Sequence, residues 1–115
     1  MGWMFYDACG AGDVPAGGKL RVMVEGYPIC LVDVGGTLHA TGDFCPHEGV
    51  SLGQGGRVEG EWLVCGAHGW SFNVRTGACA DDPGVDLPRF PVGRRGDRVF
   101  VGFWVEEGEE EEEGG

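Results

Sequence analysis

Leu20-Arg21-Val22-Met23-Val24-Glu25, Tyr27-Pro28-Ile29-Cys30-Leu31-Val32-Asp33-Val34 and Thr37-Leu38-His39-Ala40-Thr41 follow one another with only Gly26 and the pair Gly35-Gly36 between them. The first alternates with period two, apolar at Leu20, Val22 and Val24, which predicts a strand with one buried face. The second is an apolar run with β-branched residues, and Gly35-Gly36 supplies the tight turn from which the third returns as its hairpin partner. This stretch reads as an antiparallel meander, and the rest of the chain extends it. Upstream, Trp3 to Cys9 suits a short strand ending at Gly10, followed by a Gly- and Pro-containing loop to Gly18. Downstream, Arg57-Val58 turns at Glu59-Gly60 into Glu61-Trp62-Leu63-Val64, and Trp70-Ser71-Phe72-Asn73-Val74 alternates again with Trp70, Phe72 and Val74 on one side. Ala80 to Pro91 holds Pro83, Pro88 and Pro91, which lack the amide a ladder needs, so an irregular surface segment is expected there. Arg98 to Val105 reads as the last strand, entered through a turn at Gly96-Asp97. No eleven-residue window carries a 3.6-residue period. The fold class is therefore all-β, with eight or nine short antiparallel strands in a sandwich or small barrel.

At 115 residues the chain can bury one modest core. It reads as one domain over residues 1–105 and an acidic, disordered tail over 106–115. Of the formal charge of -11, seven negatives come from Glu106, Glu107 and Glu109 to Glu113, leaving -4 for the remainder. That balance disfavours nucleic acid and anionic membrane as partners and favours a partner with a basic docking face. No apolar run reaches the roughly 20 residues that span a bilayer, because the best one is interrupted at Asp33. No basic-then-apolar leader is visible at the start, so a cytoplasmic protein is expected, and a monomer.

The chemistry concentrates in Cys45-Pro46-His47 and Cys65-Gly66-Ala67-His68, separated by seventeen residues, 48 through 64. Thiolate is a soft anionic ligand and imidazole a neutral borderline one, so the four suit zinc or an iron-sulfur cluster and exclude calcium or magnesium. Structural zinc sites commonly draw on tight Cys-Cys and His-His knuckles. Here each segment offers one of each kind, which lets two thiolates meet on one metal and two imidazoles on another. The other cysteines, Cys9, Cys30 and Cys79, read as small buried apolar side chains. His39 reads as a surface or cross-strand residue. The four tryptophans, Trp3, Trp62, Trp70 and Trp104, read as core. Asp43 and Glu48 flank the first segment and read as surface acidity near a docking site. No catalytic acid, base or nucleophile can be named.

Cys45, His47, Cys65 and His68 meet the pattern Cys-x-His, a spacer of about 15 to 20 residues, then Cys-x2-His, and the chain here resembles the Rieske iron-sulfur proteins. The run His68-Gly69-Trp70-Ser71-Phe72-Asn73 with Thr76-Gly77 is similar to the strand and turn after that family's second loop, and the stretch near Pro83 to its cluster-covering segment; the likeness extends over roughly residues 3–105. It implies the Rieske fold, a β domain with a smaller cluster-binding subdomain. It also implies one 2Fe-2S cluster, with Cys45 and Cys65 on the inner iron and His47 and His68 on the outer. Two ferric ions and two sulfides sum to +2, so two thiolates and two neutral imidazoles leave a neutral oxidised site. Such a site accepts an electron more readily than a four-thiolate one.

High-potential members of the family carry a disulfide-linked cysteine in each loop, where this chain has Val50 and Ala67. They also carry hydroxyls where it has Trp70 and Phe72, with Ser71 shifted by one and so on the opposite face of the strand. The resemblance thus implies a potential nearer roughly -150 mV than +300 mV. Backbone amides of Gly49, Gly53, Gly66 and Gly69 are expected to approach the sulfurs. The implied activity is that of a one-electron carrier between a flavoprotein reductase and a terminal oxygenase, an electron-transfer component rather than an enzyme by itself. The alternatives are a small subunit or regulatory module of a larger oxidoreductase, such as a nitrite reductase, and a structural zinc domain.

Overall fold

The computed structural model describes residues 1–46, 49–67 and 69–106. Apart from Glu106, the expected tail lies outside the described residues. The elements in order are β1 (Gly2–Gly10), β2 (Lys19–Val24), β3 (Tyr27–Val34), β4 (Thr37–Gly42), the one-turn helix α1 (Leu52–Gly55), β5 (Arg57–Glu59), β6 (Trp62–Val64), β7 (Ser71–Asn73), β8 (Arg89–Phe90), β9 (Val92–Arg95) and β10 (Arg98–Val105). The all-β expectation holds. The described residues form ten strands, one or two more than expected, in sheets ordered β1-β10-β9, β2-β3-β4-β8 and β5-β6-β7. Every named pairing is antiparallel.

The meander forms as read, with Lys19 opposite Val32 and Val34 opposite Thr37. Its middle strand, β3, is the partition of the molecule. Ile29, Cys30, Leu31 and Val32 are all fully buried, which requires cover on both faces. Ile29 and Leu31 point into one core with Val24, Ala40, Val99 and Val101. Cys30 and Val32 point into another with Cys45, Leu52, Leu63, Cys65, Phe72, Val74, Cys79 and Leu87. The alternation of a strand thus sorts four consecutive residues between two cores. One holds the large sheets together; the other mounts the small sheet β5-β6-β7.

Two expectations need correction. Trp3 and Trp104 are not core: each is 51 % exposed. They face each other across β1 and β10 and stack edge to face at 5.3 Å. On β10 the inward positions are taken by Val99 and Val101, so Trp104, of opposite parity, faces out and its partner Trp3 with it; the irregularity between Asp7 and Cys9 shifts the register and turns Cys9 inward opposite Val99. The segment 80–91 is also less irregular than expected, because Arg89–Phe90 adds a fourth strand beside β4. Proline lacks an amide but keeps its carbonyl: Gly42 N–H donates to Pro88 O and Gly102 N–H to Pro91 O, both at 2.9 Å.

Candidate metal centre

Cys45 and Cys65 are 1 % and 0 % exposed and belong to the same core. They are brought there by two loops built alike. In the first, Cys45 N–H donates to Val50 O at 2.9 Å and Gly49 N–H to Cys45 O at 2.7 Å. In the second, Cys65 N–H donates to Trp70 O at 2.7 Å and Gly69 N–H to Cys65 O at 3.0 Å. Gly49 and Gly69 both have φ of 75°, a left-handed turn that costs glycine nothing. Each loop springs from a bridged pair, Phe44 with Ser51 and Val64 with Ser71. Adding 20 to each residue number of the first loop gives its counterpart in the second. A sequence signal for this twin construction exists: Cys-x3-Gly-x-Ser stands at 45–51 and again at 65–71.

Three of the four glycine amides expected to approach the sulfurs are engaged in the protein itself. Gly49 and Gly69 close the loops, and Gly53 N–H donates to Asp43 Oδ1. Gly66 is required for close approach, since a Cβ there would lie 1.9 Å from the Gly55 carbonyl oxygen. The end of α1 therefore rests directly on the second loop. His47, His68 and Glu48 lie outside the described residues.

Asp43 is not surface acidity. It is 1 % exposed, and its carboxylate accepts from Arg21 Nε at 2.8 Å, Ser51 Oγ at 2.6 Å and Gly53 N–H at 2.8 Å. Sequence reading missed this network because its members come from β2, the first loop and α1. The helix start was locally visible: Ser51 accepts from Gln54 N–H at 3.1 Å, a side-chain cap.

Cys9, Cys30 and Cys79 are buried, as expected. Desolvation first, and the Asp43 charge second, push the Cys30 thiol up to about 12. Among the described residues no group of three or more His, Cys, Asp or Glu could hold a metal ion. His39 sits opposite Val32 on β4, half-buried, with its Nε2 enclosed and without a hydrogen-bond partner. Burial, then the charges of Arg75 and Arg89, hold its imidazole below the usual histidine range, against weaker upward pulls from Asp33 and Glu61.

Around the first loop Phe44 is 49 % and Val50 38 % exposed, so an apolar rim borders the buried thiols. Val50 and Ala67, the positions where a linking disulfide would need cysteines, both lie at the surface. Trp70, at the base of the second loop, is half-buried against the core that holds the two cysteines. Two soft thiols delivered to one dry core by matched loops fit an iron-sulfur cluster in the donor chemistry they offer.

Comparison with known proteins agrees. The family profile described as "Rieske [2Fe-2S] domain" matches residues 4–91. The ferredoxin component of an alkene monooxygenase system from Xanthobacter autotrophicus is 35% identical over 85% of this chain and 80% of its own length. The biphenyl dioxygenase ferredoxin subunit of a Pseudomonas species is 34% identical over 86% of this chain and 92% of its own. Among solved structures, a complex of reduced oxygenase and oxidized ferredoxin in carbazole 1,9a-dioxygenase contains a chain that is 34% identical, with a TM-score of 0.76 over 90% of this chain and 97% of that one. With its matched loops, its two buried thiols and the profile match over most of its length, the chain belongs to the Rieske [2Fe-2S] family, whose cofactor is a 2Fe-2S cluster.

Proposed function

We propose that this chain is the ferredoxin component of a multicomponent oxygenase, a one-electron carrier that is reduced by a flavoprotein reductase and discharges to a terminal oxygenase. The single observation that carries the reading is the pair of buried cysteines held by twin loops beside the exposed apolar side chains of Phe44 and Val50. The printed names of the relatives, ferredoxin components of monooxygenase and dioxygenase systems, point the same way. The unit is residues 1–105, working in the cytoplasm as a monomer. Among the described residues no helix is long and apolar enough to cross a membrane.

Cys45 and Cys65 would hold the inner iron and His47 and His68 the outer one; when bound, the cluster takes up and releases one electron. The chain's own residues do three things for that chemistry. Leu52, Leu63 and Phe72 exclude water from the thiol ligands. The paired loop closures fix the backbone on which those thiols sit. Phe44 and Val50 offer a dry surface on which a partner can seat. The absence of cysteine at 50 and 67 and of hydroxyls at 70 and 72 argues for a potential near roughly -150 mV.

The test is spectroscopic and then electrochemical. Purified protein should contain two irons and two acid-labile sulfides per chain, with a visible spectrum that Cys45→Ser and Cys65→Ser abolish. Its midpoint should lie below zero at neutral pH. A colourless protein holding one zinc, or a Cys45→Ser variant with an unchanged spectrum, would overturn the ligand assignment, and a midpoint near roughly +300 mV would overturn the subclass.

A further inference from the structure

We propose that Asp43 is the positioning residue of this centre: it locks the first cysteine loop and, through α1, sets its spacing from the second. The inference rests on the assignment of Cys45 and Cys65 as cluster ligands, and it concerns how they are held rather than what they bind.

Asp43 stands two residues before Cys45 and grips three consecutive residues after the loop. Its backbone carbonyl accepts from Leu52 N–H at 2.6 Å, its Oδ2 from Ser51 Oγ, and its Oδ1 from Gly53 N–H. Arg21 on β2 ties the same carboxylate to the central sheet, and Lys19 Nζ donates to Gly53 O at 2.7 Å alongside. A carboxylate buried this fully is retained only because charged and neutral donors replace its water. The network is therefore all-or-none: each lost partner leaves a dry oxygen short of a donor.

From this anchor α1 runs for one turn, Leu52 to Gly55, and its last carbonyl meets Gly66, the residue after Cys65. No side chain intervenes, and the backbones touch. A continuous stiff path thus leads from Arg21 and Lys19 through Asp43 and α1 to the second cysteine. The second loop is held at its base by a different carboxylate, the exposed Asp81, whose Oδ2 accepts from Ser71 N–H at 2.8 Å. The residue equivalent to Asp43 under the offset of 20 is Leu63, an apolar core residue. The first loop is fixed by a buried polar lock, and the second by burial, by leaning on α1 and by the exposed Asp81 contact.

The experiment compares loaded wild type with Asp43→Asn, Gly66→Ala and the double variant. Readouts are the rate of iron loss to a chelator, and the visible circular dichroism and the electron paramagnetic resonance anisotropy of the reduced protein, which report ligand geometry and not stability. Each single change should speed iron loss by about tenfold, or 1.4 kcal/mol, and should shift the anisotropy. The double variant should be no worse than the more severe single, because both changes interrupt one path. Wild-type anisotropy in Asp43→Asn, or multiplied effects in the double, would overturn the proposal. Should Asp43→Asn not fold, Arg21→Gln, which removes only the outermost donor, should shift the same anisotropy by a smaller amount, and an unchanged signal there would equally overturn it. Failure of the ligand assignment looks different, since Cys45→Ser would then keep its spectrum whatever Asp43 does.

Discussion

Leu63 and Leu31 form a matched pair for a test of the two-core construction. Both are leucines, both are 0 % exposed, and they lie on opposite sides of the partition formed by β3: Leu63 in the core with Cys45 and Cys65, Leu31 in the core of the large sheets. Truncation to alanine removes about three methylene equivalents, worth roughly 2.4 kcal/mol of transfer free energy at ~0.8 each. With the cavity left behind, the cost falls in the range of about 2–5 kcal/mol, and about 3 is a fair central figure for each. For a domain of this size that lowers the melting midpoint by roughly 12–24 °C. Global stability should therefore fall by similar amounts in Leu63→Ala and Leu31→Ala. Cluster retention should not. Iron release at a temperature where both variants remain folded reports opening of the ligand core, so Leu63→Ala should bleach up to about 100-fold faster than wild type, the equivalent of about 3 kcal/mol. Leu31→Ala should stay within about threefold. The assay is loss of visible absorbance in excess chelator, with folding checked by far-ultraviolet circular dichroism. Equal bleaching by the two variants would refute the partition and mean that the cores open together.

Three further outcomes are expected. Cys30, with its thiol pushed up to about 12, should resist alkylation at pH 8 in the folded protein. Because the unfolded thiol ionises near 9 while the folded one does not, its contribution to stability should decline from about pH 9 upward, and Cys30→Ala should flatten that decline in urea titrations. His39 has a folded pKa below its unfolded value of 6.5, so the unfolded chain takes up the proton first and stability should fall as pH drops below about 6.5. His39→Leu should show a smaller loss between pH 7.5 and 5.5 than wild type, and an identical loss would contradict the assignment. For Trp3 and Trp104, a double-mutant cycle to alanine measured by urea denaturation should return a coupling of about 0.5–1.5 kcal/mol; a zero coupling would mean the pair is mere proximity.

Strand boundaries were legible where the chain punctuates itself. Tyr27–Val34 and Arg98–Val105 are found as read, because Gly26, Gly35-Gly36 and Gly96-Asp97 mark their ends. The family was legible from the spacing of Cys45, His47, Cys65 and His68, and the structure carries Cys45 and Cys65 into one core. Most of what escaped depends on partners distant in sequence. Asp43 looks like any surface acid until Arg21, 22 residues earlier, closes on it. The exposure of Trp3 and Trp104 follows from the facing of two strands at opposite ends of the chain. α1 is a single turn containing two glycines, too short for a period, and only its serine cap marked it.

The pairing of β1 with β10 places Gly2 opposite Val105. Residues at opposite ends of the described domain are thus neighbours, roughly 5 Å apart as antiparallel partners. A few residues of linker can therefore join them, and new ends can be opened at the exposed turn of Glu25 and Gly26 without touching either cysteine loop. A circular permutant of that kind keeps the order of the ligand residues, and the same adjacency of Gly2 and Val105 makes the unpermuted domain suited to insertion into the surface loop of another protein.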